Sequence, residues 1–366
     1  MKKLLLGLLV VSLVFVCSSC DFVDLLIEQG YTKPTTDFSD DETIIESYQE
    51  LNEIIASISD NFIVSKKVRL RNIGIWNDLD KYYTENPEAL SLLGVSGLEI
   101  VSSATAGGFL NAEIFPQYEM FMKVLIAVET GNKSRLTSQE QKIYTRAREI
   151  LKYNVKGTST FDKVFSIHNY LTETIMYDEN HANNDNAFNV YGALIEGKTV
   201  CKGYAHAFQM LSHMAGIDSR IIVGFAGGES HAWNLVNFGS ERTPEWYHID
   251  VTWNDKENTR SYRFFNVSDN IMNLTHNWNS AFYPKANGVK YNYFRYKGIM
   301  ASSLQNLESK FAQLYTAGES YYEVLCAFPL SSDDLGFLYN YQIGNSDIMI
   351  SIEHYDNSGV LLSVYL

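Results

Sequence analysis

The sequence predicts an α+β fold, and three observations predict it. Apolar side chains recur at three- and four-residue steps through much of the chain as far as Thr174. From Ser219 onward short β-like runs replace that pattern. Between them, Cys201 opens an amphipathic helical pattern, and His231 and Asp250 follow on two runs that read as an antiparallel hairpin.

The N-terminus reads as an export address. Lys2 and Lys3 precede an uncharged apolar run of 13 residues, Leu4 to Val16. That suits a signal peptide and falls short of the ~20 residues a membrane-spanning helix needs. Cys17-Ser18-Ser19-Cys20 follows, then Asp21. Small residues before a cysteine resemble a bacterial lipobox, although Cys17 stands where an aliphatic residue is usual. The resemblance implies cleavage after residue 19 and lipid on the Cys20 thiol. It also implies residence outside the cytoplasm, at the cell surface or in the periplasm, anchored to the membrane. A redox reading of the same C-x-x-C lacks βαβ context. Residues 20–40, with Gly30 and Pro34, read as a tether.

The rest divides by pattern. Residues 41–155 read as a mostly helical region. Ile44, Ile45, Tyr48, Leu51, Ile54, Ile55 and Ile58 share helical spacing, and 87–117, with Gly94, Gly97, Gly107 and Gly108, reads as loops with short elements. Tyr118 to Glu129 reads as a helix closing near Gly131, and Thr137-x-x-Glu140 can cap another running to about Leu151. Residues 156–300 read as the catalytic domain, opening on an amphipathic helix over 160–174. Residues 301–366 read as a small α+β segment: a helix from Leu304 to Tyr315, then β-like runs at 321–328, 347–354 and 359–365. Asn357-Ser358-Gly359 turns the last hairpin.

Chemistry concentrates in the middle. Cys201 follows the loop Glu196-Gly197-Lys198, and Tyr204, Phe208, Leu211 and Ala215 would bury one face of its helix before Gly216. At a helix N-terminus the free N–H groups and the dipole favour a thiolate, and those N–H groups can also stabilise an oxyanion forming beside the sulfur. In the hairpin, if Asn237 faces Glu245, His231 faces Val251, and a one-residue slip sets it opposite Asp250. Either register brings an imidazole and a carboxylate to one sheet edge. A carboxylate on one ring nitrogen fixes the tautomer and stabilises the imidazolium, leaving the other nitrogen for the thiol. Asn186, Asn189 and Tyr191 are upstream candidates for a second oxyanion donor.

These residues resemble the transglutaminase-like superfamily of papain-like cysteine enzymes. The motifs are Val-Cys-Lys-Gly-Tyr-Ala-His-Ala-Phe (200–208), Gly-Ile-Asp-Ser-Arg (216–220), His-Ala-Trp-Asn-Leu-Val (231–236) and Trp-Tyr-His-Ile-Asp-Val-Thr-Trp-Asn-Asp (246–255). Upstream, 163–171 and Tyr177-Asp178 match. Downstream, 264–269, His276-Asn277-Trp278 and Tyr283-Pro284 match. The resemblance implies Cys201 as nucleophile, His231 as base and Asp250 as orienting residue. It also implies an α+β core with the cysteine helix packed on an antiparallel sheet.

Composition narrows the function. The net charge of -14, from 43 acidic and 29 basic residues, argues against a general nucleic-acid binder. Besides Cys17 and Cys20 in the signal region only Cys201 and Cys326 remain, which is no disulfide framework. Cys326 lies in an apolar run and reads as core. His206 and His213 lie seven apart on one helix without metal-ligand spacing nearby, so neither a metal nor a cofactor is expected. His168 reads as packed or hydrogen-bonded. Trp233, Trp246 and Trp253 read as packing for the hairpin, with substrate stacking the alternative. The expected function is surface-anchored acyl transfer on protein or peptide carboxamides through a thioester, with amine or water as second nucleophile. The alternative is a catalytically silent binding or scaffold protein on the same fold.

Overall fold

In a computed structural model the described residues are 15–16, 43–60, 65–71, 78–86, 88–91, 94–104, 109–256, 259–316, 321–341, 349–356 and 359–365. Apart from Phe15 and Val16, the leader, Cys20 and the tether through residue 40 lie outside them. The chain forms two compact units, residues 1–146 with 189–191, and residues 147–188 with 192–366.

The first unit contains β1 (Phe15–Val16), β2 (Thr43–Ile45), α1 (Tyr48–Asp60), β3 (Lys66–Leu70), α2 (Leu79–Glu85), β4 (Val95–Ala104), β5 (Leu110–Tyr118) and α3 (Met120–Thr130). A further helix, α4 (Ser138–Tyr153), begins here and runs into the second unit. The strands form one sheet in the order β1-β4-β5-β3-β2. The region read as mostly helical therefore holds four strands, β2 to β5, of a five-stranded sheet, and within 87–117 residues 95–104 and 110–117 are strand, while Gly107 and Gly108 lie outside the described residues. The other two glycines punctuate a hairpin: Gly94, at φ 66, precedes β4, and Gly97 sits at a register shift between β4 and β5. Both strands bury an acid between apolar neighbours. Glu99 is buried within β4 and burial lifts its carboxyl to about 7, while Glu113, on β5, accepts from Ser65 Oγ at 2.6 Å. Ile44 and Ile45 pair with Arg69 and Leu70 as strand, so the helix starts later than its apolar spacing suggested.

Two helix ends follow their sequence signals. Thr137 N donates to Glu140 Oε2 at 2.8 Å and Glu140 N donates to Thr137 Oγ1 at 3.3 Å, a reciprocal capping box at the start of α4. Gly131 closes α3 in the left-handed conformation.

The second unit opens its own part of the chain with α5 (Thr160–Thr174), whose N-cap Ser159 accepts from Asp162 N at 3.1 Å. Next come α6 (Cys201–Met214), β6 (Ser219–Ala226), β7 (Glu229–Asn237), β8 (Trp246–Ile249), α7 (Val251–Asn254), β9 (Phe265–Val267) and β10 (His276–Asn277). The sheet order is β9-β8-β7-β6-β10, antiparallel throughout. Gly227 and Gly228, at φ 60 and 87, form the two-residue turn between β6 and β7. In the β7–β8 hairpin Asn237 faces Trp246, one residue away from the pairing with Glu245. That slip alone would carry His231 past Asp250. The strand instead stops at Ile249, and Asp250 leaves it as the N-cap of α7. The turn, not cross-strand pairing, returns the carboxylate to the histidine.

The C-terminal part has β11 (Met300–Ala301), α8 (Leu304–Thr316), β12 (Tyr321–Cys326), β13 (Met349–Asp356) and β14 (Gly359–Tyr365), with strand order β11-β12-β14-β13. Asn357 and Ser358, expected in the last turn, lie outside the described residues, and the flanking strands pair from Asp356 to Gly359 onward. Leu307, Phe311, Val324, Cys326 and Leu362 form the core of this part. Glu323 on β12 fastens it to the segment after α7, accepting from Ser261 Oγ at 2.5 Å, Tyr262 N at 2.7 Å and Tyr321 OH at 2.6 Å.

Candidate active site

Cys201 is the first residue of α6. Val200 caps the helix in extended conformation, without a side-chain hydrogen bond, so no cap side chain occupies the first-turn N–H groups. Tyr204, Phe208 and Leu211 are buried, as the spacing requires, and fix the helix rotation that presents Cys201. The chain reaching Cys201 is held in turn. Met176 and Tyr177 pair with Lys198 and Thr199, and Asp178 N donates to Thr199 O at 2.9 Å. Asp178, itself buried, accepts from Asn184 Nδ2 at 2.9 Å and meets Lys198 Nζ at 3.1 Å.

His231 lies near the start of β7. Its Nε2 is 2.7 Å from Asp250 Oδ2, and the ring lies within electrostatic reach of Cys201. With Nε2 taken by the carboxylate, Nδ1 is the nitrogen left for the sulfur. Burial alone would lower the basicity of His231. The adjacent Asp250 charge and hydrogen bond, joined by Cys201, outweigh it and raise the imidazole to about 10. Asp250 is fully buried. Burial disfavours its charge, but His231 and His276 hold it well below the usual carboxylate range. The structure thus brings Cys201, His231 and Asp250 together from a helix start, a strand start and a helix cap.

Around them lies a network that the three positions alone did not disclose. His276 Nε2 is 3.0 Å from the same Oδ2 of Asp250, and its Nδ1 is 2.8 Å from Thr275 Oγ1. Trp253 N donates to Asp250 Oδ1 at 3.0 Å. Trp233 Nε1 donates to His248 Nδ1 at 3.0 Å, and His248 Nε2 lies 2.8 Å from Asp269 Oδ1. Nδ1 of His248 accepts from the indole, and burial lowers the ring's basicity. His168 is fully buried, as its place on α5 suggested. It meets Asn254 Nδ2 through Nε2 at 3.1 Å, and burial pulls it down to about 3. Trp233 and Trp246 are buried in the hairpin, and Trp253 stands with its ring centroid 5.9 Å from that of His231.

Donor atoms of His231, Asp250 and His276 converge within 4.8 Å, a set of the type that ligates transition metals. Here they are spent on one another at hydrogen-bond distances. Among the oxyanion candidates, Asn186 gives its Nδ2 to Glu196 Oε1 at 2.6 Å, and Asn189 and Tyr191 group with the first unit. Tyr177 stands within electrostatic reach of Cys201. Burial, then the neighbouring Cys201, Glu179 and Glu229 charges, push its phenol up to about 12. The Tyr177-Asp178 match was the signal that pointed to this segment.

Residues 130–251, which include Cys201, His231 and Asp250, match the sequence profile of the transglutaminase-like superfamily. No curated protein matches the chain. Among solved structures, a TGase is 16% identical with a TM-score of 0.26, over 58% of this chain and 59% of its own. A candidate cysteine protease from Cytophaga hutchinsonii is 18% identical with a TM-score of 0.26, over 42% of this chain and 62% of its own. A candidate protease from Parabacteroides distasonis is 8% identical with a TM-score of 0.25, over 74% of this chain and 62% of its own. The chain thus spans about three-fifths of the length of each. The profile match, on an α+β core with the cysteine helix beside an antiparallel sheet, identifies residues 130–251 as a transglutaminase-like superfamily core.

Proposed function

We propose that the protein is a cysteine acyl-transfer enzyme acting on protein or peptide carboxamides. The observation that carries this reading is His231, bonded to Asp250 through one ring nitrogen and within electrostatic reach of Cys201 at the helix start. In the reaction the Cys201 sulfur attacks the carbonyl carbon, and the carbonyl oxygen takes the negative charge beside the N–H groups of α6. As the tetrahedral species collapses, the C–N bond breaks and His231 passes its proton to the departing amine or ammonia, leaving a thioester on Cys201. His231 then takes a proton from the second nucleophile as it attacks. The C–S bond breaks, and the thiolate–imidazolium pair is restored. An amine acceptor gives an isopeptide cross-link, and water gives deamidation or peptide hydrolysis.

The leader pattern and Cys20 support export and lipid anchoring, which place the reaction at the cell surface or in the periplasm. Incubation with a glutamine-containing peptide and a primary-amine probe, followed by mass spectrometry, tests the reading. Amine incorporation (a loss of ammonia from the sum) or a gain of 1 Da for deamidation is expected, both abolished in Cys201→Ala. A peptide unchanged by wild-type protein across glutamine and backbone-amide substrates would overturn it.

A further inference from the structure

Asp250 serves two imidazoles with one oxygen. His231 and His276 both reach Oδ2, at 2.7 and 3.0 Å, while Oδ1 is occupied by Trp253 N–H at 3.0 Å. The carboxylate is ionised, so each ring nitrogen facing it donates. His276 then carries its proton on Nε2, and its Nδ1 is left to accept from the Thr275 hydroxyl at 2.8 Å. The ring cannot turn away. It is buried, with ring centroids of Trp253 at 4.7 Å, Trp233 at 5.0 Å and Phe264 at 5.2 Å. Its backbone is pinned by β10, which pairs with Ala226 and Phe225 at the far edge of the sheet from β8. The charged or titratable groups facing it are Asp250, His231 and His248.

We propose that His276 is a positioning residue for acyl transfer: by donating a second hydrogen bond to the same Oδ2 of Asp250, beside His231, it fixes the carboxylate so that His231 keeps Nδ1 toward Cys201. A carboxylate tied only by Trp253 N–H could rotate about its Cβ–Cγ bond and carry Oδ2 out of line with the imidazole. A second donor on the same oxygen blocks that rotation. His276 touches no reacting atom. The inference rests on the acyl-transfer reading.

The test compares His276→Phe, His276→Gln and Thr275→Val in the full chain. Readouts are kcat and KM on the peptide found above, the pH profile of Cys201 alkylation by iodoacetamide, and nitrogen-15 histidine spectra. Removing the donor in His276→Phe is expected to lower kcat tenfold or more, because misplacement of about 1 Å can cost on the order of 100-fold, with KM within about twofold. The alkaline limb of its alkylation profile moves down, since a carboxylate turned out of line no longer holds the proton on His231. His276→Gln, which retains an N–H donor, recovers most of the rate. Thr275→Val, which frees the tautomer without emptying the site, gives an intermediate loss and decides the matter if His276→Phe does not fold. The spectra should show His276 as the Nε2–H tautomer in wild-type protein whether or not it turns over. An absence of turnover therefore bears on the acyl-transfer reading alone. Folded His276→Phe and Thr275→Val with wild-type rates and an unmoved pH profile, or a His276 tautomer protonated on Nδ1, would overturn the inference.

Discussion

Asp250 accepts the backbone N–H of Trp253 through Oδ1 at 3.0 Å, so the residue that orients His231 is also the N-cap of α7. One side chain therefore ends a strand, starts a helix and supplies the buried charge of the site. Strand termination and charge placement are the same local event in this fold.

This double duty separates two substitutions. Asp250→Asn retains an oxygen for Trp253 N–H but loses the charge and presents an amide to two imidazole N–H groups. It should fold, and kcat should fall by about 100-fold or more as His231 loses its fixed tautomer. Asp250→Ala also loses the cap and leaves both buried histidines without their acceptor. Its unfolding free energy should drop by about 3–5 kcal/mol in denaturant titration.

The pH dependence follows from His231. Its proton is held up to about 10, above the ordinary imidazole value, because the Asp250 charge outweighs the cost of burial. The proton needed by the leaving amine is present below that pH, so kcat should fall as pH rises through about 10. In Asp250→Asn the alkaline limb should move to lower pH. Stability has the same sign. The folded value lies above the unfolded one, so the ion pair's contribution is complete below about 6.5 and is lost toward alkaline pH. Thermal midpoints of wild-type protein should decline between neutral pH and pH about 10 more steeply than those of Asp250→Asn.

Gly224 sets the distance between the β10 edge and the hairpin. A Cβ there would overlap the carbonyl of Asn277 and lie 2.9 Å from Trp233 Cη2. Gly224→Ala should push β10 outward, costing about 1–3 kcal/mol, and displace His276 from Asp250. Loss of stability accompanied by slower turnover of the folded fraction is the expected result, measured by denaturant titration and active-site-normalised kinetics.

Glu323 ties the C-terminal sheet to the chain that backs Asp250. Its three donors include Ser261 and Tyr262, and two residues on, the carbonyl of Phe264 accepts from Asp250 N at 3.1 Å. Burial raises the Glu323 carboxyl above the ordinary range, against the pull of those hydrogen bonds. Glu323→Ala leaves buried donors unmet at about 1–3 kcal/mol each, so the thermal midpoint should drop by several degrees. Truncation at residue 300 should leave a poorly folded chain, because β11 and the 259–264 segment lose their partners.

The sequence was most legible where side-chain periodicity and caps agree. The helix over 160–174 and the one opened by Cys201 combine an apolar stripe with a cap or a strong positional signal, and both stand where that pattern puts them. The hairpin spacing brought His231 and Asp250 to the same end of the sheet, but the register differs by one residue and the capping role of Asp250, which completes their meeting, was not legible. The β4–β5 hairpin was hidden by its glycines: Leu98-Glu99-Ile100 and Ala112-Glu113-Ile114 alternate apolar and acidic residues, but Gly94 and Gly97 beside them read as loop punctuation. The apolar run from Ile44 misled because Ile44 and Ile45 belong to an edge strand that precedes the helix. His276 lies 26 residues beyond Asp250 on a two-residue strand, and although His276-Asn277-Trp278 stood among the family matches, nothing in its spacing tied it to Asp250. Only the closing of β10 onto β6 brings it to the carboxylate.

The most direct measurement is the alkylation of Cys201 against that of Cys326 in one protein. Cys326 is buried and burial pushes its thiol up to about 12, so it serves as an internal reference for an inert thiol. If His231 activates Cys201, iodoacetamide should label Cys201 selectively over Cys326 at neutral pH and faster than an ordinary free thiol, and His231→Ala should remove that advantage. Labelling of Cys201 only at the rate of an ordinary free thiol, unchanged in His231→Ala, would contradict the account.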